Sequence, residues 1–448
     1  MNRFARMRRE VAAASRLAAP VALVQLGLMF MGVVDTMMLG HLSAGALAAG
    51  ALGHISTLAV LVLGGGVLAA LDPLVSQAHG ADDRQAVGDH LQRGIVLALA
   101  MVVPFGLLLW DVRPALRALG QPALVVEDAG AFARAVIWGL PGYYLFVAFR
   151  QTLQAMSVVR QTAATIVVGN LANVLGNWVL IYGHLGMPAF GVRGSAYSTS
   201  ICRTAMFLWL LFASRRALAP YWRGFTRDAF DLGRHLRLLR IGLPIGLHNS
   251  IEIVFFVTLA LLMGRMGVTQ LAGHQIAINL ASVSFMVPLG ISGAAATRVG
   301  NAIGRRDMPG ARRAAAACLL LGAGVMVVFA AVFALLPTPL ARLYTRDPAV
   351  LAMAAALLPI AAVFQVFDGI QVVGAGVLRG AADTAYPAGL ALVGFWLIGL
   401  PAGWALAFAA RQGPRGLWWG ATIALAAVAL LLVARIAHRF RGAIGRAG

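Results

Sequence analysis

Long apolar runs broken by short polar or Gly- and Pro-containing segments recur along the whole chain. They lie near residues 12–38, 47–71, 91–110, 130–152, 163–183, 194–214, 241–264, 276–297, 314–336, 352–378, 386–409 and 416–436. Each is close to the roughly 20 residues that a helix needs to cross the hydrocarbon core of a bilayer. A spanning segment must satisfy its own backbone polar groups, so runs of this length predict twelve transmembrane helices. The longest polar stretch, 214–240, is too short to build a core of its own, so neither a soluble domain nor catalysis in an appendage is expected. The first run follows a basic segment, as in a signal peptide, but it is longer than a signal's apolar region and predicts an uncleaved first helix.

Composition agrees with this pattern. Of 448 residues, 60% are hydrophobic and only 12% charged, with a mean hydropathy of +0.83, far from the makeup of a soluble domain. The net charge of +20 raises the question of nucleic acid, but the distribution of the charge answers it. All 36 basic residues are Arg, and most fall in alternate loops: Arg3 to Arg16, Arg215 to Arg240, Arg298 to Arg313 and Arg435 to Arg446. By the positive-inside rule both termini are predicted to be cytoplasmic. The expected partners of this charge are anionic lipid headgroups and not nucleic acid. With no Lys in the chain, a P-loop ATPase and Schiff-base chemistry are excluded. Cys202 and Cys318 lie in apolar runs with no metal-ligand spacing and are expected to pack. No HExxH or nucleophile-elbow pattern supports a hydrolase, so no enzyme activity is expected.

The chain also repeats itself. Arg16 to Pro20 aligns with Arg240 to Pro244, and the same offset pairs Gly40 with Gly264, Gly80 with Gly304 and Asp83 with Asp307; further on, Gly191 to Gly194 pairs with Gly413 to Gly416. Six helices per half return the chain to its starting side, so the halves share an orientation. The expected fold is an all-α polytopic membrane protein: two six-helix bundles related by a pseudo-twofold axis along the membrane normal, with substrate between them. Residues 1–214 form the expected N-lobe, 215–240 a cytoplasmic linker, 241–436 the C-lobe and 437–448 a cytoplasmic tail. Two such lobes suffice to enclose a cavity, so a monomer is expected.

Three acidic residues, Asp35, Glu252 and Asp368, stand inside apolar runs. A charged side chain at membrane depth costs at least a few kcal/mol and marks an ion, proton or cationic-substrate site. The repeat aligns them with Leu259, Leu28 and Phe146 in turn, so symmetric packing does not account for them. Near Asp35 stand Gln25 and the helix-bending Pro20, a candidate hinge. His248 and Glu252 share a helix face, as do Phe364, Asp368 and Gln371. The amide pairs Asn173 with Asn177 and Gln275 with Asn279 are each spaced by four; each serves either function or helix association. Arg203 is costly near the middle of its run, and Asp72 reads as a boundary residue.

The stretches PVALVQLGLMFMGVVDTMMLGHL, DPLVSQAHGADD, GVRGSAYST, RVGNAIGRRD and LRGAADT, in this order within a resemblance that covers residues 10–436, resemble the multidrug and toxic compound extrusion (MATE) family, in its NorM-like bacterial branch. The resemblance implies an inner-membrane antiporter that expels diverse organic cations in exchange for H+ or Na+, without a cofactor. It implies that Asp35 is the acid of an N-lobe cation site with Asn173, Asn177 and Thr199 as polar companions, and that Glu252 and Asp368 are the C-lobe acids. Na+ is expected only transiently, at Asp35 or at Glu252 and Asp368. Gln25, His248, Phe364 and Gln371 are candidate cavity-lining residues. Phe364 stands where sodium-coupled members often carry Tyr; its ring can make a cation–π contact but has no hydroxyl. The alternative is a flippase for lipid-linked precursors, whose anionic ligand calls for a basic lining. A channel lacks a repeated filter element.

Overall fold

The computed structural model describes residues 3–222 and 224–447. Every regular element among the described residues is helical. In chain order they are α1 (Arg3–Leu42), α2 (Ala44–Leu68), α3 (Leu71–Gly80), α4 (Arg84–Trp110), α5 (Arg113–Ala118), α6 (Ala123–Ile137), α7 (Leu140–Ala155), α8 (Arg160–Tyr182) and α9 (Val192–Leu218). There follow α10 (Leu232–Met266), α11 (Val268–Gly304), α12 (Met308–Leu335), α13 (Pro337–Arg342), α14 (Pro348–Gly380), α15 (Ala385–Ala391), α16 (Leu400–Trp404) and α17 (Pro414–Arg439). Among the described residues, eleven helices are long and apolar enough to span a bilayer, and the bent pair α6 and α7 makes a twelfth. Large apolar side chains such as Leu107, Leu124 and Leu430 lie outside, which is stable only where the solvent is itself hydrocarbon.

The fourth run, which reads as one helix, is bent by 53° between α6 and α7. A Cβ on Gly139 would stand 2.7 Å from Ser200 Cα, and one on Gly142 2.6 Å from Thr204 Cα. The two glycines therefore let this span lie directly on the α9 backbone, and Pro141 removes an N–H at the start of α7. The eleventh span departs from α geometry over Leu392–Gly399 and Ala405–Ala409, where the turns are π-helical. There Gly399, Gly403 and Gly420 bring it against α17, around Pro401, which cannot donate to the α ladder.

The chain divides into two compact units, one of Leu23–Gly246 and one of the residues up to Ala22 with Leu247 onward. In the first unit, α8 packs on α9, α2 on α6, and α7 on α4 and α9. Leu39, Phe132, Val136 and Ile181 form part of its core. In the second, α14 is central, packed on α11, α12 and α17, with Phe255, Leu357, Phe364, Phe395 and Trp418 in its core. The 215–240 segment holds the end of α9, a 3-10 turn at Arg227–Phe230 and the start of α10.

The sequence repeat is visible in the backbone. Asp82, Ser157, Arg306 and Ala382 all take the left-handed conformation, with φ of 56°, 63°, 58° and 57°. At each the helix before it closes with a Schellman-type bond, from the N–H of Asp83, Val158, Asp307 or Asp383 to the carbonyl five residues back. Asp83 and Asp307 then cap the following helices, accepting from Ala86 N and Gly310 N at 2.9 and 2.8 Å. Gly191 and Gly413 precede α9 and α17 with φ of 56° and 57°. Close helix approach is repeated as well. A Cβ on Gly66 would stand 2.3 Å from Gly246 Cα, and a Cβ on Gly290, its repeat mate, 2.6 Å from Ala22 N.

Candidate functional site

Two separate clusters contain the intramembrane acids, one in each unit. In the first, the second half of α1 carries Asp35 toward α8 and α9. Asn177 Nδ2 donates to Asp35 Oδ1 at 2.6 Å, Asn173 Nδ2 to the same oxygen at 3.1 Å, and Thr199 Oγ1 to Oδ2 at 2.9 Å. The spacing of four on α8 makes this possible, because Asn173 and Asn177 stack on one face and are both fully buried. Three donors on one acid solvate a carboxylate within the protein, in place of water. Arg203, one turn after Thr199 on α9, lies over the Tyr143 ring at 5.1 Å, and the charges of Arg203 and Asp35 act on each other. Arg203 thus has an aromatic partner that no sequence spacing pointed to. Gln25 accepts from Arg150 Nη1 at 3.3 Å, tying α1 to α7. Pro20 sits within α1, whose helix continues through it.

The second cluster joins α10 to α14. His248 Nδ1 lies 3.1 Å from the Pro387 carbonyl and Nε2 3.2 Å from Gln371 Nε2. These contacts use one N–H and one lone pair, as in the tautomer protonated on Nδ1, with Gln371 donating to Nε2. His248 Nε2 is 3.9 Å from Glu252 Oε2. Asp368, one turn before Gln371, is 5% exposed and feels the charge of Glu252. Asp368 Oδ1 and Gln371 Oε1 have no hydrogen-bond donor among the described residues. Phe364 is buried in an aromatic wall, its ring 5.9 Å from Phe256 and 5.4 Å from Trp418. Phe256 is four residues past Glu252, so its spacing could have been read on the same face; Trp418 comes from α17, and only folding places it here.

The clusters therefore differ in kind. Asp35 is saturated with donors, whereas the Glu252 and Asp368 pair has more acceptors than donors, the condition of a site that takes up a proton or a cation. Gln275 and Asn279 join neither cluster among the described residues. Gln275 is exposed, and Asn279 Oδ1 accepts from the Tyr344 hydroxyl at 2.8 Å. Asp72 is 1% exposed, and its Oδ2 accepts from Gln151 Nε2 at 3.4 Å in the first turn of α3. Asp72 lies just past the break between α2 and α3, where a helix N-terminus and a buried amide hold this acid inside the protein. Cys202 and Cys318 are buried and unpaired by disulfide, as their apolar settings imply. No group of three His, Cys, Asp or Glu side chains able to hold a metal ion occurs among the described residues.

The chain matches the MatE family model over residues 20–179 and 244–405. The two matches begin at Pro20 and Pro244, the offset of the internal repeat. It is 35% identical over 430 residues to a protein named multidrug resistance protein MdtK from Pectobacterium atrosepticum, covering 94% of each chain. The MdtK of Yersinia pseudotuberculosis is 35% identical over 432 residues, covering 94% of this chain and 93% of that one. Its fold is that of the eukaryotic MATE transporter AtDTX14, with a TM-score of 0.89 over 99% of this chain and 100% of that one, at 24% identity. On its repeated helical architecture, its two family matches and its near full-length relatives, this chain belongs to the MatE family of multi-span membrane transporters.

Proposed function

We propose that the chain is a secondary active multidrug exporter of the bacterial inner membrane that exchanges external H+ or Na+ for internal organic, mostly cationic compounds by alternating access. The observation that carries this reading is the pair Glu252 and Asp368, the first partly and the second fully buried, with unpartnered acceptor oxygens on Asp368 and on Gln371 beside it. The names of the MdtK relatives support the substrate class. Glu252 and Asp368 take the proton or Na+, and His248, bonded to Gln371, orients Glu252. Asp35, held by Asn173, Asn177 and Thr199, supplies the negative charge of the other lobe, with Arg203 as a countercharge. Gln25 and Phe364 line the drug path, Gln275 and Asn279 support α11, and Pro20 is the hinge of α1.

Ion and drug compete for these charges, and competition suffices for exchange because coupling is a difference of affinities between states. The presence of Glu252 supports the NorM-like branch. The Arg distribution supports cytoplasmic termini, and two lobes in one chain support a working monomer with lobes at 1–214 and 241–436. A flippase for lipid-linked precursors binds an anion, and acids in the site oppose it.

The test is transport in liposomes loaded with a fluorescent organic cation, under a H+ or a Na+ gradient imposed separately, with wild type, Asp35→Asn, Glu252→Gln and Asp368→Asn. Flux driven by one gradient and lost in the variants is the expected result and names the ion. No gradient-driven flux from folded protein overturns the exchange reading.

A further inference from the structure

At one end of the unit that contains α14 and α17, a cavity of about 630 Å³ lies between the loop after α14 and the last turn of α17. Its walls are Ala381, Ala382 and Asp383 on one side and Arg435, His438, Arg439, Arg441 and Gly442 on the other. The loop belongs to the LRGAADT stretch, which the transport reading leaves without a role. Asp383 is already committed: Arg435 Nε donates to its Oδ2 at 2.9 Å, and Arg435 also lies over the Tyr386 ring at 4.6 Å. Arg439 and Arg441 have no acidic partner among the described residues. The lining therefore carries a surplus of two guanidinium charges.

A structural role at the helix end does not use these two groups. The carbonyls of Ile436 and His438 accept from Phe440 N and Arg441 N. Those of Phe440 and Arg441 accept from Arg312 Nε at 2.6 Å and Nη2 at 2.8 Å. The terminal turn is capped without Arg439 or Arg441, and Arg312 and the buried Phe440 fix its position. On the other wall, Ala382 in the left-handed conformation and the Asp383 to Leu378 backbone bond fix the loop. The backbone of both walls is thus fixed.

The position adds the chemistry. Leu430, Leu431 and Val433 on α17 are exposed apolar residues of the lipid-facing surface. Arg439 lies six residues beyond Val433, roughly 9 Å of helix, a distance comparable to the headgroup layer that flanks the hydrocarbon core. Guanidinium groups match phosphate oxygens with forked, charge-assisted bonds, and basic pockets between spans at this depth suit anionic headgroups.

We propose that Arg439 and Arg441, with His438 and the Asp383-anchored Arg435, form a binding site for a phosphate-bearing anion. A phospholipid headgroup is the source that the position favours, and soluble phosphate is the other source of the same chemistry. The site lies within one unit and does not depend on the transport reading.

The test uses the full chain, purified and delipidated in detergent, as wild type, R439Q/R441Q, R439K/R441K and R342Q/R411Q. The last pair removes the same charge from exposed positions near the opposite ends of these helices. Native mass spectrometry counts retained phosphatidylglycerol against phosphatidylcholine, and thermal unfolding is followed with inorganic phosphate against chloride at equal ionic strength. The expected result is one phosphatidylglycerol retained by wild type and by R342Q/R411Q, lost in R439Q/R441Q and weakened in the Lys pair, which keeps charge but not the fork. A phosphate-dependent rise in melting temperature, lost in R439Q/R441Q and with no lipid preference, supports the site with a soluble anion as its source. Equal lipid retention and equal phosphate response in wild type and R439Q/R441Q overturns the proposal, as does equal loss in R342Q/R411Q. If R439Q/R441Q does not fold, the Lys pair decides by the same readouts.

Discussion

Replacing Asp35 by Asn and by Ala separates the charge of the first cluster from its hydrogen bonding. The Asn177, Asn173 and Thr199 donors reach Asp35 at 2.6, 3.1 and 2.9 Å, and both amides are fully buried. Asn at position 35 keeps its carbonyl oxygen under the two amides, and its NH₂ faces the Thr199 hydroxyl, which rotates to accept. All three contacts survive in neutral form. The charge-assisted strength lost is offset by removing a carboxylate from membrane depth, about 2.5–3.5 kcal/mol on insertion scales. Asp35→Asn should therefore unfold within about 1 kcal/mol of wild type.

Asp35→Ala strands two amides with no water to replace the acceptor. A stranded buried donor costs about 1–3 kcal/mol in soluble proteins, and hydrogen bonds between membrane helices average about 0.6 and reach about 1.7 kcal/mol. Thr199 can turn to a carbonyl of its own helix and loses little. The Ala variant should therefore be about 2–4 kcal/mol less stable than the Asn variant. Unfolding in detergent followed by Trp fluorescence measures the difference, and liposome transport measures function in the same preparations. Both variants should lose ion-driven export, only Ala with a marked loss of stability. Equal stability of the two would refute the network, and wild-type transport by Asp35→Asn would refute the role of the charge.

The second cluster gives a complementary expectation: Glu252→Gln and Asp368→Asn should fold normally, because each removes charge from an acceptor-rich site, and each should abolish the response of drug binding to the coupling ion in a fluorescent-drug titration. Gly66→Ala and Gly290→Ala should each destabilise by about 1–3 kcal/mol through overpacking, since the new methyl meets backbone at 2.3 and 2.6 Å. Gly32→Ala, with nothing within 4 Å, should be neutral or stabilising in the same thermal assay. After α4, Arg113 at the start of α5 bridges Asp111 and Glu127 at 2.6 and 3.2 Å; hydrogen bonding to Arg113 holds Asp111 down at about 2. Asp111 is depressed, so its contribution to order in this segment is present above the ordinary carboxylate range and is lost as pH falls toward 2. Proteolysis of the 111–122 segment by an acid-active protease should rise over that window in wild type. The rise should be smaller in Arg113→Gln, which keeps only the Arg117–Glu127 pair at 2.6 Å and the backbone bond to Asp111.

Element type, number and the internal repeat were legible in the sequence because bilayer solvation leaves few options. A run of some 20 apolar residues is a helix there, and its length fixes its span. The repeat carried local structure as well: Asp83 and Asp307 cap matching helices, and Gly191 and Gly413 open matching ones, since caps and left-handed turns depend on residues adjacent in the chain. The three acids stood out for the same energetic reason, as charges that hydrocarbon does not tolerate alone.

What each acid meets was decided only by tertiary structure. Periodicity places Asn173 and Asn177 on one face of α8, but nothing in their spacing says that the face meets Asp35, while the like pair Gln275 and Asn279 turns elsewhere. The buried place of Asp72, the Tyr143 partner of Arg203, the Trp418 side of the aromatic wall and the bend between α6 and α7 all depend on elements far apart in the chain. Apolar surface in a bilayer is equally content against lipid or protein, so hydrophobicity does not choose which faces pack. That choice falls to close-fitting glycines and to polar groups that must find partners, and both are settled only when distant helices come together.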